Sequence, residues 1–320
     1  MREHAIEGPS AWRHAAIRTE DYRVTLSPAA LDEIRRVADA VERYKLPTIL
    51  RRAEDFTWPH TMAAMAEVKR ILKSGVRFAV LDHLPLDEIG DDQAAAIYWM
   101  LASLVSRPVA QKLDGTMIYN VWDTGKEALP GSGVRPDSTN IEIRFHIDNA
   151  YNTTPPEYVG LLCLRTAKSG GVSRVLSFHT VHNEMLARHR ELLPRLYRPF
   201  WFDRQREFHP GEPDTFFAPV FEDGAEVRTR ISVHQINAGY ALRGEPIDNE
   251  GRAALDAMLE IFEDPTISAE FDFAPGEIQF VDNRTLGHSR TEYEDWPEPD
   301  KKRHLIRLWL RDHGRRAYPG

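Results

Sequence analysis

The sequence has almost no cysteine, no long apolar run and no excess of basic charge, and each shortage removes a class of protein. A single cysteine, Cys163, cannot close an internal disulfide, which excludes a disulfide-stapled scaffold and fits a reducing compartment. It lies in the apolar stretch Tyr158-Val-Gly-Leu-Leu-Cys-Leu164, where a free thiol packs as a small hydrophobe, and it is not counted as a metal ligand. No run approaches the roughly 20 apolar residues that a membrane-spanning helix needs. Met1 to Gly8 also lack the apolar core of a secretory signal, so the expectation is a cytoplasmic protein without a membrane partner. With 41 Lys and Arg against 49 Asp and Glu, the formal net charge is -8 and the basic residues are dispersed. That disfavours nucleic acid as a partner. What remains is a chain of 320 residues, 42% hydrophobic, long enough to bury a full core. A single domain over 1–320 is expected, with 1–74 a mostly helical part packed on the rest.

Helical patterns dominate the first third. Ser27 precedes Pro28 as an N-cap before a first-turn proline, and Leu31, Ile34, Val37 and Val41 recur at helical spacing. The pattern predicts further helices over 61–73, closed by Gly75, and over 92–106, with a first core strand at 76–81. After residue 115 strands take over, at 117–122, 140–148, 159–164, 173–177, 228–234 and two C-terminal segments, interrupted by helices at 181–189 and 249–263. This order predicts a mainly β fold with flanking helices (α+β), built on a double-layered jelly-roll core, the double-stranded β-helix.

Residues 140–148 alternate almost perfectly, with Ile141, Ile143, Phe145 and Ile147 on one face and Asn140, Glu142, Arg144, His146 and Asp148 on the other. Because strand side chains repeat every two residues, His146 and Asp148 project side by side, as two ligands of one ion must. An H-x-D pair by itself is a common chance pattern. Downstream, a turn at Pro275-Gly276 and an apolar strand through Ile278, Phe280 and Val281 lead to a loop that presents His288. Two histidines and one carboxylate on one side of an ion leave its other side open, the arrangement of non-haem Fe(II) oxygenases. His179, His182 and His189 also recur near one helix, but no carboxylate-bearing strand accompanies them, and they are expected at the surface. Residues 303–310 alternate again, placing Arg303, Leu305, Arg307 and Trp309 on one face. A guanidinium grips carboxylate with two prongs, so Arg303 is placed to hold the distal carboxylate of a dicarboxylic cosubstrate.

At these residues the chain resembles the TauD/TfdA family of Fe(II)- and 2-oxoglutarate-dependent dioxygenases, clavaminate synthase-like members included. The resemblance covers roughly 75–312 and rests on Phe145-His-Ile-Asp148, on Ser169-Gly-Gly-Val-Ser173, and on Asp282-Asn-Arg with His288 and the Arg-x-x-x-Arg of 303–307. It implies that His146, Asp148 and His288 hold Fe(II), and that 2-oxoglutarate and O2 take the remaining positions on the ion. It further implies that Ser173 and Arg303 hold the cosubstrate carboxylate. The reaction implied is hydroxylation of an unactivated C–H bond of a small organic substrate, with release of succinate and CO2; an inward Arg307 not used by the cosubstrate adds the expectation that this substrate is anionic. Desaturation or ring formation by the same chemistry stays open, whereas retention of Asp148 favours hydroxylation over chlorination. Two departures stand out. The acidic stretch Glu294-Asp-Trp-Pro-Glu-Pro-Asp300 lengthens the gap from His288 to Arg303, which argues against carrying over a sulfonate substrate, and Ser173 stands where threonine is usual.

Other roles are open at this level. Asn283 either braces His288 or closes the Asp282-Asn283 turn. Arg307, with Arg144, either meets an anionic group of the substrate or pairs internally, with Glu142 the obvious competitor. Tyr119 and Asn152, like Trp122, Tyr151, Trp201 and His234, either shape the substrate pocket or pack. A zinc hydrolase and a non-catalytic metal-binding barrel remain as other classes, though neither gives Ser173 and Arg303 a purpose. The expected partner is a small molecule; a homo-oligomer is compatible with the sequence.

Overall fold

Local chemistry sets the helices at the amino end. In the computed structural model, which describes residues 1–127 and 134–320, Ser27 caps α1 (Pro28–Arg43), its hydroxyl accepting from the Ala30 amide at 3.2 Å. Ile34, Val37 and Val41 then form its buried stripe. α2 (Pro59–Ser74) stops at Gly75, and α3 (Asp91–Val105) buries both Tyr98 and Trp99. Besides a single turn at Leu193–Leu196, three longer helices follow: α4 (Phe178–Arg188), α5 (Val233–Arg243) and α6 (Asn249–Phe262). No helix among the described residues is long and apolar enough to cross a membrane.

The strands that build the core are β1 (Arg23–Val24), β2 (Phe78–Leu81), β3 (Arg107–Val109), β4 (Tyr119–Val121), β5 (Ile143–His146) and β6 (Tyr158–Arg165), then β7 (Ser173–Ser177), β8 (Ser268–Phe271), β9 (Ile278–Asp282), β10 (Leu286–Arg290) and β11 (His304–Arg311). The larger sheet has the order β1-β2-β9-β6-β11-β3, with β4 also paired to β11; the smaller has the order β8-β7-β10-β5. Together they are the two layers of a jelly roll with flanking helices. One hydrophobic cluster runs from Trp12 to Tyr318 and includes the apolar stripes of α1, α2 and α3.

β11 lies inside the larger sheet and is buried along its whole length. Ile306, Leu308 and Leu310 belong to the main core, on the side where α3 packs, whereas Arg307 and Trp309 face the space between the sheets. Gly160 of β6 permits that close approach of α3, because a Cβ there would lie 2.4 Å from the Tyr98 hydroxyl.

Three expectations change. The strand expected at 140–148 pairs only over Ile143–His146, and Ile141 is exposed, because the carbonyls of Thr139 and Ile141 are taken by the Arg290 side chain instead of a ladder. At 228–234 only Arg228–Thr229 is extended in a ladder; Ile231 gives its carbonyl to the Ile147 amide, and Val233 opens α5. His288 sits on β10 and not in a loop. Its neighbour Gly287 is a packing glycine, where a Cβ would strike the Phe178 ring at 2.7 Å. The hairpin of Pro199–Asp203 with Thr215–Pro219 was not foreseen.

Candidate active site

The smaller sheet brings the two histidines together. His146 on β5 and His288 on β10 are direct cross-strand partners with ring centroids 4.4 Å apart, and Asp148 follows two residues after the end of β5. The Nε2 atoms of His146 and His288 lie 3.4 and 3.6 Å from Asp148 Oδ1. Among the described residues this is the one group of three or more such side chains whose ligand atoms lie within 4.8 Å of each other. His146 Nδ1 is 2.9 Å from the Arg144 carbonyl. A carbonyl can only accept, so Nδ1 carries the proton and Nε2 offers its lone pair to the centre. A carboxylate oxygen and two imidazole nitrogens, open on the far side, fit the donor set of a non-haem Fe(II) ion.

The second oxygen of Asp148 is held elsewhere. Trp309 donates its indole N–H to Oδ2 at 2.6 Å, and Arg307 Nη1 lies 3.3 Å from the same atom. Burial by itself would raise the Asp148 pKa, but the Arg307 charge and the two imidazoles outweigh it and hold the carboxyl well below its usual range. Asn283 closes a backbone bracket, accepting from the Asp148 amide at 2.8 Å and donating to the Asp148 carbonyl at 3.0 Å. It therefore braces Asp148 rather than His288, whose buried Nδ1 has no partner.

Donors without acceptors gather beside this centre. Arg303 is buried, its Nη1 has no hydrogen-bond partner, and it borders a cavity of about 290 Å³ with Cys163, Lys168, Gly171, Phe273 and Leu305. Ser173, also buried, makes one long contact, 3.5 Å to Gln279 Oε1, and the Gln279 amide nitrogen has no partner. Arg290 and Arg303 both lie over the Tyr293 ring, at 4.8 and 5.0 Å from its centroid. Such orphaned N–H groups fit an anion, as the far carboxylate of 2-oxoglutarate is. Gly170 and Gly171 (φ 71° and 73°) carry the chain past Arg303 in the left-handed region, and a Cβ at Gly170 would meet the Glu292 carbonyl at 2.3 Å.

Arg307 is not an unpaired arginine. Besides Asp148 it contacts Asp137 Oδ2 at 2.9 Å, donates from Nε to Gln111 at 2.8 Å and lies 4.7 Å from the Tyr119 ring, whose hydroxyl donates to Asp137 Oδ1 at 3.3 Å. Glu142 is not the competitor, because it pairs with Arg174 at 3.1 Å. Arg144 is exposed, as expected of a long side chain on the edge strand of the smaller sheet. Asn152 is committed to the Tyr318 carbonyl and the Thr153 amide and anchors the C-terminal turn instead of a pocket. Trp122 and His234 are exposed, Trp201 packs at a tilt on Phe217, and Tyr151 is buried against the Tyr318 hydroxyl. His179 and His182 are buried, not at the surface: His179 bridges Ser10 and the Val227 carbonyl, and His182 meets the Tyr197 hydroxyl at 2.7 Å.

Sequence reasoning passed over Trp309, Gln111, Asp137 and Arg290. For Trp309 and Arg290 the signal was present, since each lies two residues from a chosen site residue on the same strand face.

The model of the taurine catabolism dioxygenase TauD, TfdA family matches residues 42–309. The chain belongs to this family. It is a non-haem iron, 2-oxoglutarate-dependent oxygenase. Among TauD/TfdA relatives, FR-33289 synthase of Streptomyces rubellomurinus (strain ATCC 31215) is 25% identical over 319 residues, spanning 98% of this chain and 92% of that protein. A structure of asparagine oxygenase with Fe(II), 2S,3S-3-hydroxyasparagine and succinate superposes with a TM-score of 0.68 at 23% identity, covering 91% of this chain and 94% of its own. The non-heme iron oxygenase OrfP in complex with Fe and alpha-ketoglutaric acid superposes with a TM-score of 0.66 at 14% identity, covering 91% and 94%.

Proposed function

We propose that His146, Asp148 and His288 hold one Fe(II), that Ser173 and Arg303 hold the far carboxylate of 2-oxoglutarate, and that the enzyme hydroxylates an unactivated C–H bond of a small organic substrate carrying an anionic group near Arg307. The observation that carries this reading is the division of labour on Asp148, with Oδ1 turned to both imidazoles and Oδ2 tied to Trp309 and Arg307. Iron, 2-oxoglutarate and O2, when bound, supply oxidation of the C–H bond with release of succinate and CO2.

The chain's own residues do the positioning. Tying Oδ2 leaves Oδ1 for the ion, so His146, Asp148 and His288 would each give it one donor atom. The Arg144 carbonyl fixes the His146 tautomer and ring plane. Leu161, Cys163, Leu305 and Phe273 form a separate apolar patch beside Arg303, which keeps water from the cosubstrate chain and strengthens the charge contact at its end. Arg307 then faces the substrate side, where an incoming anion must displace or share with Asp137. A carboxylate on the substrate is in keeping with chemistry among the neighbours: the 3-hydroxyasparagine held by asparagine oxygenase and the L-Arg held by OrfP each carry one.

The test is succinate formation over a panel of small acids and their neutral esters, in wild type and in Arg307→Gln. The reading expects an acid to stimulate succinate formation, its ester to do so far less, and the difference to shrink in the variant. An ester turned over as well as its acid, unaffected by the substitution, would reject the anionic substrate.

A further inference from the structure

Two buried guanidiniums, not one, lie over the Tyr293 ring, and one of them, Arg303, borders the cavity. Arg290 lies two residues beyond His288 on β10, and Ser173 of β7 is its direct cross-strand partner. Directly opposed side chains in an antiparallel pair share a face, and so do residues two apart on one strand. Arg290 therefore lines the same inner wall as His288 and Ser173. Arg303 reaches the place from the entrance to β11, in the larger sheet.

The hydrogen bonds of Arg290 are incomplete. Its Nη2 donates to the carbonyls of Thr139, at 3.0 Å, and Ile141, and this fastens the segment that leads into β5. Nε and Nη1 are buried and have no partner, as is true of Arg303 Nη1. Neither arginine forms an ion pair with a carboxylate of the described residues, although both are more than nine-tenths buried. Their shared contact with Tyr293 puts the two heads within about 10 Å of each other. Two like charges held out of water without a salt bridge are unfavourable, even with Asp295, which accepts from the Arg303 amide, easing the cost at Arg303, and several N–H donors remain unused. A strand tie alone explains Nη2; it does not explain the other two donors.

Resting on the cosubstrate reading above, we propose that Arg290 is the second guanidinium of the cosubstrate clamp, closing on the far carboxylate of 2-oxoglutarate from the smaller sheet while Arg303 closes from the larger. A carboxylate has about four lone-pair positions, enough for a guanidinium on each oxygen and the Ser173 hydroxyl besides. Because the same side chain holds the backbone of Thr139 and Ile141, the clamp also fastens cosubstrate binding to the chain segment that carries Asp137 and enters the metal strand.

The experiment is calorimetric binding, without oxygen, of 2-oxoglutarate and of 2-oxopentanoate to the Fe(II)-loaded protein. 2-Oxopentanoate keeps the chelating end and lacks the far carboxylate, so the ratio of the two affinities reads that carboxylate alone. Arg290→Gln is expected to weaken 2-oxoglutarate by about tenfold or more, as for a charge-assisted hydrogen bond, and to leave 2-oxopentanoate within about twofold. If both ligands weaken alike, or neither does, the ratio is unchanged and Arg290 is a strand tie only, which overturns the proposal. Arg303→Gln is the control: if it also leaves the ratio unchanged, the far carboxylate is not at this pocket and the cosubstrate reading fails as well. Should the glutamine variant not fold, Arg290→Lys keeps the charge and a donor for the carbonyls, and there too an unchanged ratio contradicts the clamp while a ratio lowered about threefold or more supports it.

Discussion

Replacing Trp309 by Phe removes a single N–H and keeps the aromatic body, and the N–H it removes is the one at 2.6 Å from Asp148 Oδ2. Both residues are buried, so no water stands ready to replace the donor. A hydrogen bond to a buried carboxylate contributes roughly 1.5–3 kcal/mol. Arg307, at 3.3 Å from the same oxygen, keeps part of the neutralisation, which places the expected loss nearer the lower end. Without the indole, Oδ2 is free to turn toward the ion, and the geometry that presents one oxygen is no longer enforced. Removing a partner of this kind typically costs about 10- to 100-fold in metal affinity or activity. The assay is an anaerobic titration with Fe(II), monitored by calorimetry, alongside a urea unfolding curve of the metal-free protein. Trp309→Phe should weaken metal binding by about tenfold. Unchanged affinity with unchanged stability would refute the argument that Oδ2 is held in place by the indole.

Two other expectations follow from the same geometry. Gly170→Ala places a Cβ at positive φ and 2.3 Å from the Glu292 carbonyl, so the variant should lose at least about 1–3 kcal/mol in urea unfolding, and an unchanged midpoint would show that this turn relaxes freely. His182 is held neutral, mainly by burial, with its pKa pushed down to about 4. The unfolded chain binds this proton near pH 6.5 and the native one only near 4, so its contribution is intact above 6.5 and fades as pH falls through that window, by roughly 3 kcal/mol in all. His182→Gln should accordingly flatten the loss of stability between pH 7 and pH 4.5; parallel curves for variant and wild type would remove His182 as a cause.

Where the sequence was legible, alternation made it so. The period of two put His146 beside Asp148 and Arg307 beside Trp309, and all four meet in the structure, although Asp148 follows the end of β5. What failed were inferences about partners. Glu142, expected to compete for Arg307, pairs with Arg174, and Arg307 instead meets Asp148 and Asp137, the latter brought in by the short turn Pro136–Ser138. His288 was expected in a loop, whereas β10 runs through it and Gly287 serves contact with the Phe178 ring. The lack of a neighbouring carboxylate strand argues correctly against a metal site at the histidines of α4 but not for exposure, since hydrogen bonds to Ser10, the Val227 carbonyl and Tyr197 satisfy His179 and His182 inside. Asn283 acts on Asp148 because the turn after β9 passes beside the end of β5, a proximity that no local pattern encodes.

The central claim is that one ion is held by His146, Asp148 and His288, and the direct test is the Fe(II) stoichiometry of the wild type against His146→Ala, Asp148→Ala and His288→Ala, measured under argon with circular dichroism to confirm folding. The account predicts one Fe(II) per chain in the wild type and loss of binding at micromolar metal in each folded variant. A variant that keeps one tightly bound Fe(II) would contradict it.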